Sequence, residues 1–208
     1  MSVTELYHEL LPFAIEHNVK IATENMWNWD HTNDMATFAA CATPESFCKH
    51  IDVVNSDYLV ACVDIGHAEM KGLNTTASEM IYTLGSKVQA LHIHDNDKWH
   101  DSHQIPFTMN IDFEPIVKAL KEINYDGYFT LECDSYLKAY NAENIEEGVK
   151  NLSDSVKKLA DMCYMSSSRF YEVFREAVGE SPINYKNRIR VSYAKMLIQE
   201  GSHAGGYH

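Results

Sequence analysis

Apolar positions along the chain alternate between helical and strand-like spacing. Leu6, Leu10, Leu11, Phe13, Ala14 and Ile15 form a stripe with acidic residues between them, which predicts a helix over 4–17 with Pro12 as a site for a kink. A short apolar strand over 19–24 follows, then an aromatic and polar loop over 25–43. Thr43-Pro44-Glu45-Ser46 reads as a helix start, and that helix runs to about residue 54. Further strands are expected over 58–63, 88–94 and 128–131, the last after the turn Asn124-Tyr125-Asp126-Gly127, and helices over 76–84 and 113–123. Strands alternating with helices predict an α/β fold with a parallel sheet.

Beyond the last strand, Ile145, Val149, Leu152, Val156 and Leu159 give one long helix over 144–162. The character then changes. Ser166-Ser167-Ser168 caps a helix that Gly179 ends, and Ser181-Pro182 opens another to about residue 199. This tail carries six basic residues from Arg169 to Lys195 and no strand signal, so two domains are expected, 1–162 and 163–208.

Each predicted strand ends in a metal-capable side chain: Glu24, Asp64, His94 and Glu132. The C-terminal ends of parallel strands lie on one face, so residues 40, 30 and 38 positions apart in sequence are expected to converge. Three carboxylates and one imidazole suit Mn²⁺, Mg²⁺ or Co²⁺ better than a thiolate-type zinc site, with Zn²⁺ as a further option. A metal there acts as a Lewis acid on a bound oxygen.

Composition narrows the partners. Thirty acidic residues against 17 basic give a net charge of −13, which confines any nucleic-acid role to a local patch. Five cysteines without a CxxC pair suit free thiols in a reducing compartment. The N-terminus lacks signal-peptide features, and no apolar run approaches the roughly 20 residues of a membrane span. A cytoplasmic protein with no membrane partner is expected.

The motifs Ile21-Ala22-Thr23-Glu24-Asn25, Val63-Asp64-Ile65-Gly66-His67, Leu91-His92-Ile93-His94-Asp95-Asn96, and Asn110-Ile111-Asp112-Phe113 leading to Gly127-Tyr128-Phe129-Thr130-Leu131-Glu132 resemble a known family. They resemble the C-terminal half of the xylose-isomerase-like sugar phosphate isomerases and epimerases, which are TIM barrels and include the ketose 3-epimerases. The resemblance implies a partial (β/α)8 barrel, a sugar or sugar phosphate as substrate, and Glu24, Asp64, His94 and Glu132 as metal ligands. It implies Glu24 and Glu132 as the acid-base pair working through an enediolate stabilised by the metal and His67. His92 is then expected to line the site rather than bind metal, and His100, Asp101 and His103 to stand in a loop within reach of substrate. Metal-dependent phosphodiester hydrolysis, as in endonucleases sharing the barrel, is the neighbouring chemistry and would need more His and acidic ligands.

Four strands make half of such a barrel. The expectation is an incomplete, inactive copy of an isomerase or a half barrel that completes itself as a homodimer. In the tail, Leu159-Ala160, Met165-Ser166, Phe170, Phe174, Gly179, Ser181-Pro182, Tyr185, Arg190, Ala194 and Leu197 resemble the first helix-turn-helix of AraC-type regulators. That resemblance implies an all-α segment with Ser167, Ser168, Arg169, Tyr171 and Arg175 as DNA contacts, binding weakly because half the usual domain is present. The alternative function is therefore a transcription regulator whose isomerase-like portion senses a ligand.

Overall fold

Four parallel strands in the order β1-β4-β5-β6 carry the fold: β1 (Ile21–Glu24), β4 (Leu59–Asp64), β5 (Val88–Ile93) and β6 (Tyr128–Leu131). The computed structural model describes residues 3–163 and, beyond them, Asn184, Arg188, Val191 and Lys195. Two compact units divide the chain at Cys163 and Tyr164. The tail positions expected to contact DNA, Ser167, Ser168, Arg169, Tyr171 and Arg175, lie outside the described residues.

Helices connect the strands, and their ends are written into the local sequence. Helix α1 (Val3–Glu16) precedes β1 and contains Pro12. Thr43 caps α2 (Pro44–Val54) reciprocally with Ser46, and Asn55 closes it in the left-handed region at φ 51°. Thr76 and Glu79 form the corresponding capping box of α4 (Ala77–Leu84). Asp112 caps α5 (Phe113–Glu122), and α7 (Ile145–Met162) follows the last strand. Short helices α3 (Ile65–Ala68) and α6 (Asp134–Leu137) begin directly beyond β4 and β6.

The core lies between sheet and helices. Val63, Leu91 and Ile93 pack there with Phe47, Met80, Ile81, Ile116 and Leu159. All six residues of β4 are buried, as a central parallel strand covered on both faces requires. Gly127 leads into β6 because a Cβ would sit 2.3 Å from the Gln89 carbonyl oxygen. All five cysteines are free thiols, and no described helix is long and apolar enough to cross a membrane.

One stretch expected to be a loop is structured. Trp27–Asp30 (β2) and Met35–Phe38 (β3) pair as an antiparallel hairpin, and the Asp30 carboxylate accepts from the amides of Thr32 and Asn33 in its turn. Trp27 and Trp29 pack on a small cluster with Ala36, Met70 and Leu73. Among the described residues, no strand pairs with the outer edge of β1 or of β6.

Candidate metal centre

Sheet register decides which side chains meet. Asp64 stands opposite His92 across β4 and β5, and the Glu132 amide donates to Ile93 O at 3.0 Å, continuing the β5–β6 ladder. Side chains two apart share a face, so Glu24, Asp64, His92 and Glu132 all point to the same side. Asn25 latches the first two strand ends, its side chain donating to Asp64 O (3.0 Å) and accepting from the Asp64 amide (2.8 Å).

The ligand-capable atoms of Glu24, Asp64, His92 and Glu132 lie within 4.8 Å of one another. His92 Nδ1 is 3.0 Å from Glu132 Oε2, 3.4 Å from Glu24 Oε2 and 3.9 Å from Asp64 Oδ2. Asp64 Oδ2, His92 Nδ1 and Glu132 Oε2 are buried without a hydrogen-bond partner. Buried polar atoms are rarely left so, and three converging ones with a predominantly hard donor set fit a divalent cation.

The structure groups His92, rather than the expected His94, with the three carboxylates. His92 is level with Asp64 in the register, whereas His94 lies beyond the end of β5 and is fully buried.

His94 belongs to a second group with His67, Asp101 and His103, whose ligand-capable atoms also lie within 4.8 Å of one another. His67 Nδ1 lies 3.0 Å from Asn25 O, and His103 Nδ1 lies 2.8 Å from Glu132 O. A carbonyl oxygen only accepts, so both Nδ1 atoms carry protons and donate. Each Nε2 then faces Asp101 Oδ2, at 3.1 Å from His67 and 3.3 Å from His103. His94 Nε2 reaches Asp64 Oδ1 at 3.1 Å, while His94 Nδ1 and Asp101 Oδ1 are buried without partners. The His94 and His103 rings stack at 4.2 Å.

Two features hold this group. At Gly66 an added Cβ would lie 1.9 Å from His94 Cε1, so only glycine leaves room for the ring. Asp95, fully buried, accepts from four backbone amides, those of Asn96, Ile111, Thr108 and Met109, at 2.8 to 3.0 Å. It thereby fixes the loop that carries Asp101 and His103. Asn96 donates to Gly66 O at 3.0 Å and ties the same loop to the end of β4.

Electrostatics follow the geometry. Burial works against ionisation of Glu24, yet the neighbouring imidazoles of His67 and His92 bring its carboxyl down to about 2. Burial likewise opposes a charged His67, but Asp101, Glu24 and Asp64 hold its imidazole up at about 11. The Cys62 thiol and Glu24 raise His92 to about 11. Protons thus bind tightly at the positions a cation would share.

Of the other expected residues, His100 is apart from both groups, its side chain 78% exposed and bonded to Asp97 at 2.8 Å. The positioning roles of Asn25, Asp95 and Asn96 were not expected. Their signal was proximity: Asn25 follows Glu24, and Asp95 and Asn96 stand one and two positions after His94.

The sequence pattern of the xylose isomerase-like TIM barrels matches residues 2–163, and that of the AraC-family helix-turn-helix proteins matches residues 151–185. An uncharacterized protein of Methanocaldococcus jannaschii is 30% identical over 137 residues, covering 66% of this chain and 44% of that protein. An uncharacterized protein of Sinorhizobium fredii is 29% identical, with coverages of 68% and 45%. Among solved structures, a D-tagatose 3-epimerase-like protein superposes with a TM-score of 0.55 at 25% identity, over 76% of this chain and 54% of that one. A D-psicose 3-epimerase superposes with a TM-score of 0.60 at 12% identity, over 77% and 55%. The chain therefore spans about half the length of these relatives. With the family pattern running through nearly all of the described barrel half, this chain belongs to the xylose isomerase-like TIM barrel family.

Proposed function

We propose that the described unit forms half of a divalent-metal sugar isomerase or epimerase site, with Glu24, Asp64, His92 and Glu132 as ligands. The observation that carries this reading is the convergence of the unpartnered Asp64 Oδ2, His92 Nδ1 and Glu132 Oε2 beside Glu24. A bound Mn²⁺, Mg²⁺ or Co²⁺ supplies Lewis-acid polarisation of a substrate oxygen. Glu24 ends one outer strand, Glu132 directly follows the other, and they flank His92 from both sides. One takes a proton from the carbon beside the carbonyl and the other returns a proton to the opposite face or the neighbouring carbon. His67, in contact with Glu24 at 3.2 Å, stabilises the enediolate oxygen between the two transfers. Incubating the Mn²⁺-loaded chain with a ketose in D₂O tests this, since proton abstraction incorporates deuterium beside the carbonyl. No incorporation together with no calorimetric metal binding would sink the reading.

The second ligand group favours a second reading, metal-assisted phosphodiester hydrolysis, in which adjacent ions clamp the attacking and leaving oxygens. Metal stoichiometry separates the two: one tightly held ion per chain suits the isomerase, two or more the hydrolase. The edges of β1 and β6, unpaired among the described residues, support a homodimer in which two halves close one barrel. Sedimentation of a compact monomer would rule that assembly out. For the tail, the helix-turn-helix match supports weak, salt-sensitive DNA binding that Arg169→Ala reduces, making the barrel half a ligand sensor. Gel shifts without retardation at low salt would end that alternative.

A further inference from the structure

Asp101 and His103 reach the second ligand group on the long loop after β5, and Asp95 anchors only part of that loop. The backbones of Asp95 and Gln104 pair in both directions, at 2.7 and 3.0 Å, and the Asp95 carboxylate takes the amides of Thr108 and Met109. Between these anchors lies the turn Ile105-Pro106-Phe107, which none of those bonds includes. His103, at φ 46°, and Phe107, at φ 71°, have left-handed backbones without being glycine. Such conformations cost free energy and persist where surrounding contacts hold them.

The contacts on this turn come from two helices. The Phe107 ring lies 4.9 Å from that of Phe113 at the start of α5, and the Lys158 ammonium of α7 stands 3.9 Å over it. One turn earlier on α7, the buried Ser155 hydroxyl donates to Pro106 O at 3.0 Å. Ser155 and Lys158 are three residues apart on one helix face and lie outside both ligand groups. They also fall where two family patterns overlap, the barrel pattern ending at residue 163 and the helix-turn-helix pattern beginning at 151.

We propose that Ser155 and Lys158 are positioning residues that clamp the Pro106-Phe107 turn, so that a cation held by His67, His94, Asp101 and His103 and the packing of the second half of α7 stabilise each other. The link runs both ways. A cation that needs Asp101 and His103 together fixes the loop, a fixed loop offers Ser155 and Lys158 their partners, and a docked α7 favours the loop conformation that presents both ligands. The inference rests on the reading that the second group holds a cation. It gives an event at the site a path of direct contacts to the stretch where the helix-turn-helix pattern begins.

The test titrates Co²⁺ into the full 208-residue chain by calorimetry and follows amide hydrogen exchange by mass spectrometry. Filling of both groups is expected to slow exchange in residues 151–162 by about fivefold or more, and in α2 by no more than about twofold. Ser155→Ala is expected to abolish that slowing and to weaken Co²⁺ at the second group by about tenfold, with the first group kept within about twofold. Lys158→Ala, at an exposed position, is expected to weaken the second group by about threefold, and Lys158→Arg, which keeps a cation over the Phe107 ring, to restore it. The lysine pair carries the test alone if Ser155→Ala does not fold. With both ions bound, no slowing in α7, equal slowing in α2, or slowing retained in full by Ser155→Ala or Lys158→Ala overturns the inference. A single Co²⁺ per chain removes the second ion and this inference with it, and leaves the isomerase reading standing. No Co²⁺ at all removes the isomerase reading as well.

Discussion

The two ligand groups touch each other and are built by different means. Glu24, Asp64, His92 and Glu132 take their places from the register of parallel strands, with the Asn25 latch as the main side-chain support between strand ends. His67, His94, Asp101 and His103 depend on a missing Cβ at Gly66 and on one buried carboxylate, Asp95, that gathers four amides. Backbone ladders make the first group robust to single side-chain changes around it. The second hangs on two residues that are not in it.

The severest way to break that contrast is Asp95→Ala. It leaves four amides without their acceptor, three of them beyond the loop that carries Asp101 and His103, and hydrogen bonds to a charged group are the costly ones to lose. A loss of about 3 kcal/mol or more is expected in urea denaturation. Metal titration should show capacity at the second group abolished and affinity at the first kept within about threefold. Equal loss at both would mean that the groups are one unit. Gly66→Ala acts on the same group from the other side, forcing the His94 ring away from a 1.9 Å overlap, with an expected cost of about 2 kcal/mol in the same measurement.

The contrast also explains what the sequence discloses. Glu24, Asp64 and Glu132 are readable because each ends or directly follows an apolar strand, and four such ends in succession identify one rim. His92 and His94 are not separable in this way, since they are two apart on one strand run and share a face. Only pairing with β4, a contact about 30 residues distant, puts His92 level with Asp64. Asp95 is harder still: its donors are up to 16 residues away, and an acidic residue after a histidine reads as chemistry rather than scaffolding. The hairpin of β2 and β3 had a local signal in the alternation Trp27-Asn28-Trp29-Asp30, but strands of four residues inside a polar loop fall below the length at which alternation persuades.

Smaller effects separate the histidines directly. His92→Ala removes a donor of the first group and is expected to weaken Mn²⁺ binding there by about 100-fold, measured calorimetrically. At the first group His94→Ala removes one of two hydrogen-bond partners of Asp64 Oδ1, the one at 3.1 Å, leaving the His67 amide at 2.7 Å, and is expected to weaken Mn²⁺ binding by about tenfold. The reverse order would restore His94 as the ligand and break the register argument.

The smallest expected effect concerns the seam between the groups, the contact of Glu24 with His67 at 3.2 Å. In chelator, the Glu24 carboxyl, held near 2 rather than 4.5, stabilises the folded chain above about pH 4.5, and that contribution fades as pH falls toward 2. His67, held near 11 rather than 6.5, contributes fully below about pH 6.5 and fades as pH rises toward 11. The urea midpoint of the metal-free chain should therefore decline from about pH 6.5 upward, and His67→Gln should make that decline shallower, His92 supplying the remainder. Divalent metal should reverse the trend, because its binding displaces protons from imidazole nitrogens and strengthens as pH rises. A midpoint that stays level in chelator between about pH 6.5 and pH 9 would show that no proton is shared across the seam, and the two groups would then be independent in charge as well as in construction.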